Sequence, residues 1–295
     1  MDESALLAHI YERSSPPTDV VPVGPGDDCA VVRVAAGVDI LLTTDQLVEG
    51  RHYTPGVPVD QVGRKAIARC LSDIAAMGGR PDVCLAAATL GAGSDGADEL
   101  FDALRRTAEA FRCPLVGGDI AVADGPTVLT VTAVGRPHPE RGPVLRSEAR
   151  PGDRVCVTGV IGDSLASGRH LTFEPRLAEG AWLCDTLGEG LGAMIDLSDG
   201  LGRDAGRVAT ASAVRVVIDG GALPLAPGVT EAPSAIAAGE DYELLFTCRD
   251  EPPALSPSGV AVTVIGAVEA GSGCDLRLAD GSLLDITHAG WDHRG

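Results

Sequence analysis

Five short clusters place carboxylates beside glycine or threonine: Gly26-Asp27-Asp28, Thr43-Thr44-Asp45, Gly117-Gly118-Asp119, Asp196-Leu197-Ser198-Asp199-Gly200 and Gly239-Glu240-Asp241. Taken singly, each reads as ordinary turn chemistry. Five in one chain point instead to the loops at strand ends and helix starts where α/β proteins bind ligands. Aspartates that converge repel one another unless a divalent cation neutralises them. Mg²⁺ is such a cation, taking oxygen from carboxylates, water and substrate phosphates. Several Mg²⁺ ions holding a polyphosphate suit phosphoryl transfer, which needs positioning and positive charge more than covalent chemistry. Lys65 is the only lysine and follows Arg64, so there is no Walker A loop and the charge must come largely from metal.

The elements that must position these groups follow from apolar periodicity and from glycine and proline punctuation. Helices are predicted over Glu3–Glu12, Val59–Met77, Asp98–Phe111, Ser164–His170, Arg176–Leu187 and Gly202–Ser212. Strands are predicted over Cys29–Val34, Asp39–Thr43, Val83–Thr89, Thr127–Val134, Arg154–Thr158, Val214–Ile218, Glu243–Cys248 and Val260–Ile265. In the second helix Val62, Ala66, Cys70 and Ile74 form a core stripe, while Lys65, Arg69 and Asp73 share another face. Asp73 lies in the last turn, before Gly78-Gly79, where the helix dipole favours cations; a solvated pair with Arg69 competes with a site role. The mixture is α/β (α+β). Proline-rich Gly135–Asp153 marks a boundary between domains of residues 1–137 and 147–295.

Composition bounds the function. The formal charge of −19 disfavours nucleic-acid binding through phosphates. The eight cysteines show no paired spacing and read as small buried residues in a reducing compartment. The acidic start Met1-Asp2-Glu3-Ser4 lacks the pattern of a secretory signal, and the most apolar run, Val83–Ala92, is half a membrane span. The expectation is a cytoplasmic protein without membrane contact.

The chain resembles the thiamine-monophosphate kinase family, within the superfamily of aminoimidazole ribonucleotide synthetase, selenophosphate synthetase and the hydrogenase-maturation dehydratase. The motifs that carry the resemblance span the chain. They are Gly26-Asp-Asp-Cys-Ala30, Thr43 through Tyr53, Lys65 through Gly78, Gly117-Gly-Asp119, Ile195 through Leu201, Gly239-Glu-Asp-Tyr-Glu-Leu-Leu-Phe246 and Gly290-Trp-Asp-His293. The resemblance implies an aminoimidazole ribonucleotide synthetase-like two-domain fold, with a β-rich N-terminal half that dimerises into a barrel and ATP between the halves. It implies transfer of the γ-phosphoryl group of ATP to thiamine phosphate with several Mg²⁺ ions, by a homodimer. Carried over by position, Asp28, Thr43, Thr44, Asp45, Asp73, Asp119, Asp196 and Asp199 look like metal ligands. Gly118, Asp119, Arg146 and Ser198 look like ATP contacts, and His52, Glu240 and Trp291 like the thiamine-phosphate pocket.

The chemistry agrees with those roles. The attacking phosphate oxygen is already ionised near neutral pH, so no catalytic general base is expected. Trp291 offers a face for a cationic ring, and Arg146 a fork for phosphate. Each also has a plainer reading: a packed C-terminal tail for Trp291, a turn cap for His52, a solvated linker arginine for Arg146. Two positions depart from the family pattern: Ile120 follows Gly-Gly-Asp119 in place of threonine, and His170-Leu-Thr-Phe-Glu-Pro-Arg176 replaces a run with an earlier Arg-Pro pair. Two alternatives remain open at this level. One is a related ATP-dependent enzyme with another acceptor, disfavoured for selenium chemistry by the lack of cysteine before Cys29 and for hydrogenase maturation by the His-Arg-Gly end. The other is a catalytically silent divalent-cation-binding protein.

Overall fold

The computed structural model describes residues 3–91 and 96–291; Asp292 and His293 of the terminal motif lie outside the described residues. Two sheets organise the chain. The first has five strands in the order β1-β2-β5-β3-β4: β1 (Ala30–Ala35), β2 (Val38–Val48), β3 (Arg80–Gly91), β4 (Leu115–Ala123) and β5 (Val128–Arg136). The second has seven, in the order β12-β11-β8-β10-β6-β9-β7. Its strands are β6 (Arg154–Thr158), β7 (Leu191–Asp196), β8 (Arg215–Asp219), β9 (Leu244–Cys248), β10 (Val262–Glu269), β11 (Gly273–Arg277) and β12 (Leu283–Asp285). Pairing is antiparallel except for β3 with β4 and β8 with β11.

The helices are α1 (Glu3–Arg13), α2 (Val59–Ala76), α3 (Ala97–Ala110), α4 (Ser164–Ser167), α5 (Leu177–Leu187), α6 (Leu201–Ser212) and α7 (Ala232–Ala237). Their periodic stripes are buried as patterned: Val62, Ala66, Cys70 and Ile74 of α2 join Leu41, Leu47, Leu129 and Val131 in one core. Ala205, Val208 and Ala209 of α6 join Val216, Ile218, Ile265 and Leu276 in the other. A third cluster, with Ala75, Ala76, Leu183, Met194 and Phe246, links α2 and α5 to the second sheet. There the helices nearly touch: a Cβ on Gly180 would meet the Ala75 carbonyl at 2.4 Å. Alpha-2 ends because Gly78 turns left-handed (φ 66), donating to Ala75 O while Gly79 donates to Ile74 O, both at 2.9 Å. That stop leaves the last turn of α2, with Ser72 and Asp73, at the junction of the two halves.

Six elements depart from the sequence pattern. The segment Leu115–Ala123 is a strand, β4, although its Gly-Gly-Asp reads as a turn. Strands β7, β11 and β12 and helix α7 are additional. The predicted helix Ser164–His170 is broken at Gly168, whose φ of 75 leaves a four-residue helix and a 3-10 turn. Helices α2 and α3 cover one face of the first sheet. Its other face is open, and β4 is an exposed edge with Ile120 70% and Val122 69% accessible. No described helix is long and apolar enough to cross a membrane.

Candidate active site

Three carboxylates from three separate segments meet at the junction. Asp28 precedes β1, Asp73 projects from the last turn of α2, and Asp196 ends β7; one oxygen of each lies within 4.8 Å of the others. Thr43 on β2 donates to Asp73 Oδ2 at 2.5 Å, and Ser72 donates to Asp196 Oδ2 at 2.6 Å. Arg146, in a 3-10 turn of the linker, forks onto Asp28 with bonds of 2.7 and 3.0 Å. Burial, then repulsion from neighbouring carboxylates (Asp196, Asp45 and Asp28 on Asp73; Asp28 and Asp204 on Asp196), holds the Asp73 and Asp196 carboxyls well above the usual carboxylate range. Asp27 is pushed up to about 6, first by burial and then by the charge on Asp28. A close set of hard oxygen donors that resist ionising beside one another fits Mg²⁺, which would neutralise them.

The second group surrounds a cleft lined by Arg51, His52, Arg69, Leu165, Ser198 and Asp199, with Gly239, Glu240, Tyr242 and Trp291 completing it. Glu240 Oε2 accepts from the fully buried Lys65 at 2.5 Å and lies 3.0 Å from His170 Nδ1. Lys65 Nζ also reaches the His52 carbonyl and His170 Nδ1, both at 2.7 Å. Burial raises the Glu240 carboxyl, but the His170 contact and the Lys65 charge outweigh it and bring the group down to about 2. Lys65 in turn is lowered by burial, against the pull of Glu240, to about 8. The Arg51 guanidinium stands over the Trp291 ring, 5.3 Å from its centroid. Behind the cleft, Phe173 and Tyr242 stack at 4.0 Å.

The loop that carries Glu240 is held in an uncommon backbone shape, with φ of 63 at Glu240 and 52 at Tyr242. Its neighbours fix it from both sides. Glu240 N donates to Ser198 O and Ser164 Oγ to Glu240 O, both at 2.7 Å. Asp241 accepts from Gly162 N and pairs with Arg169, and Glu243 takes a two-point grip from Arg176.

The structure brings together Asp28, Thr43, Asp73 and Asp196, and separately His52, Ser198, Asp199, Glu240 and Trp291. Other expected site residues are placed differently. Thr44 alternates to the opposite face of β2 from Thr43 and bonds Thr132 across the strand pair, so its hydroxyl does not reach the acidic triad. Asp45 faces the helices but is clasped by Arg69 at 3.0 and 3.1 Å, so the anticipated Arg69–Asp73 pair is replaced by Arg69–Asp45. Gly118 and Asp119 sit in the middle of β4; the row Asp45, Val131, Ala86, Gly118 crosses three strand spacings, about 14 Å. Within one chain they are therefore remote from the triad. Arg146 grips Asp28 and not an open anion position, and Ser198 borders the Glu240 cleft. Asp199 is paired with Arg207 at 2.5 Å, while its carbonyl accepts from Trp291 N at 2.8 Å. Lys65, Arg69 and His170 were not anticipated as site residues. The i, i+4 row Lys65, Arg69, Asp73 marked a common face, but the partner of Lys65 lies 175 residues further along.

Residues 26–136 match the model of the AIR synthase related protein, N-terminal domain, family. Over 99% of its length the chain is 32% identical to a thiamine-monophosphate kinase of Rhodopirellula baltica, spanning 97% of that protein. It is equally 32% identical, over 99% of itself and 98% of the relative, to a thiamine-monophosphate kinase of Escherichia coli K12. The solved structure of AaThiL complexed with AMPPCP and TMP superposes with a TM-score of 0.84 at 30% identity, covering 99% of this chain and 97% of that one.

Proposed function

This chain belongs to the thiamine-monophosphate kinase family, and we propose that it transfers the γ-phosphoryl group of ATP to thiamine phosphate, giving thiamine diphosphate and ADP. The observation that carries the reading is the pairing of two dissimilar groups of side chains along one junction. One is a triad of carboxylates suited to metal-bound polyphosphate, the other a cleft with an anionic carboxylate and an indole suited to a cation. Asp28, Asp73 and Asp196 would hold Mg²⁺, which supplies positive charge for the phosphates of donor and acceptor.

The chain's own residues do the remaining work. Thr43, Ser72 and Arg146 fix the orientation of the three carboxylates. Glu240 and Trp291 receive the aminopyrimidine and the ring cation of the acceptor; the stacking contact is worth about 1–2 kcal/mol when dry. Tethering the acceptor by its heterocycles leaves its phosphate to point along the junction, so the barrier is lowered by alignment of two bound groups and no proton abstractor is needed.

The N-terminal half, residues 1–137, is proposed to hold metal and nucleotide and to dimerise, and residues 147–295 to complete the site. The uncovered sheet face and the exposed edge of β4 support a homodimer, since apolar residues such as Ile120 and Val122 would be buried by a second copy. Docking through that face is the arrangement in which Thr44, Gly118 and Asp119 would serve a nucleotide. The test is direct: purified protein with ATP, MgCl₂ and thiamine phosphate is expected to form thiamine diphosphate and ADP in equal amounts. No product at saturating MgCl₂ overturns the assignment. Light scattering that reports a monomer at working concentration overturns the dimer.

A further inference from the structure

The only lysine of the chain is fully buried and ends on a carboxylate at the edge of the substrate cleft. A buried ammonium costs several kcal/mol in lost hydration unless it is paired and fully hydrogen-bonded. Lys65 meets that demand with three partners from three segments: the His52 carbonyl, His170 and Glu240. Of the two oxygens of Glu240, Oε2 takes both contacts. Among the described residues no hydrogen bond is made to Oε1. The carboxylate is thus anchored by one oxygen, and its other is left for a ligand in the cleft shared with Arg51 and Trp291.

We infer that Lys65 and His170 are positioning residues for the acceptor: together they fix Glu240 through Oε2 and aim its other oxygen at an N–H donor on a cationic substrate. The inference rests on the kinase reading above and names what gives that site its selectivity for the acceptor. His170 Nδ1 lies within hydrogen-bond distance of both Lys65 Nζ and Glu240 Oε2, and a single ring nitrogen serves only one of them at a time. If Nδ1 carries the proton it donates to Glu240; if not, it accepts from Lys65. In either state the Lys65 ammonium still donates to Glu240 Oε2, and His170 adds a second donor when Nδ1 is protonated. The arrangement also ties the acceptor cleft to α2, whose last turn carries Asp73, so the cleft and the acidic triad share one rigid element.

The test separates this role from a structural one and from failure of the kinase reading. Wild-type turnover of thiamine phosphate is measured first; its absence overturns the kinase assignment itself. With wild type active, Lys65→Met is expected to raise KM for thiamine phosphate tenfold or more and leave KM for ATP within twofold. Glu240→Gln is expected to raise the same KM, and to add less than twofold in the Lys65→Met background, because the two residues act through one carboxylate. His170→Gln, a milder change at a residue that is not buried as deeply, is expected to give an intermediate rise and covers the case in which Lys65→Met does not fold. The inference is overturned if the Lys65→Met and Glu240→Gln effects multiply independently. A change in KM for ATP equal to that for thiamine phosphate overturns it as well, as does a His170→Gln protein with wild-type constants.

Discussion

Removing one charge from the acidic triad is expected to stabilise the metal-free protein while abolishing its function. In Asp73→Asn the side chain keeps its shape, and Thr43 can still donate to the remaining carbonyl oxygen. What disappears is repulsion. Two ionised carboxylates 4.8 Å apart interact by about 3.5 kcal/mol at an effective dielectric constant of about 20. Asp73 faces both Asp28 and Asp196, but proton uptake by one member caps the penalty, so the net gain is set at about 1–3 kcal/mol. For a chain of this size that is a rise of roughly 2–5 °C in melting temperature. In MgCl₂ the order is expected to invert, because wild type at a hundredfold excess over Kd gains about 2.7 kcal/mol that the variant largely forgoes. Scanning calorimetry in EDTA and in MgCl₂, with ADP release measured in parallel, tests this. An Asp73→Asn protein that melts below wild type in EDTA, or gains as much from MgCl₂, would refute the assignment of the triad.

Three further outcomes are expected. Arg146→Ala strips the counter-charge from buried Asp28 and should cost about 3–5 kcal/mol in urea unfolding under EDTA; a loss below 1 kcal/mol contradicts the pairing. The Asp241 carboxyl is pushed by burial from 3.8 to about 7, against Gly162 N–H and Arg169, so between those values the folded chain holds a proton that the unfolded chain has released. Unfolding free energy should therefore fall as pH rises from about 4 to 7, and Asp241→Asn should flatten that slope; an unchanged slope in urea titrations refutes it. Gly118→Ala would put a Cβ 1.7 Å from the Ala86 carbonyl, so β4 must shift from β3. A weakened dimer and a raised KM for ATP are expected; wild-type values for both would show that the edge strand is not engaged.

The helices were legible because their apolar stripes repeat cleanly, as in Val62, Ala66, Cys70 and Ile74 of α2. Strand β4 was not, because two adjacent glycines and an aspartate imitate a turn when the neighbouring strand that accommodates them is unseen. Strand β7 was hidden similarly: Gly192 and Ala193 carry no β-branched signal, and Gly192 is required because a Cβ would meet Thr247 Oγ1 at 2.3 Å. Within the candidate site, residue type and the family motifs pointed to Asp28, Asp73 and Asp196, which the fold brings together, but not to which hydroxyl faces them. Strand alternation separates Thr43 from Thr44, and that parity is readable only once the covered face of the sheet is known. The contacts of Lys65 with Glu240 and His170 join residues far apart in sequence, which no local pattern encodes.

Because the lone side-chain amine is sealed inside the protein, every fixed side-chain cation at its exterior is a guanidinium. Reagents that acylate lysine should find no side chain to label while the fold is intact. Incorporation of such a label at Lys65 would then count opening events of the region where α2 meets the Glu240 loop, a native chemical clock for the breathing of this protein.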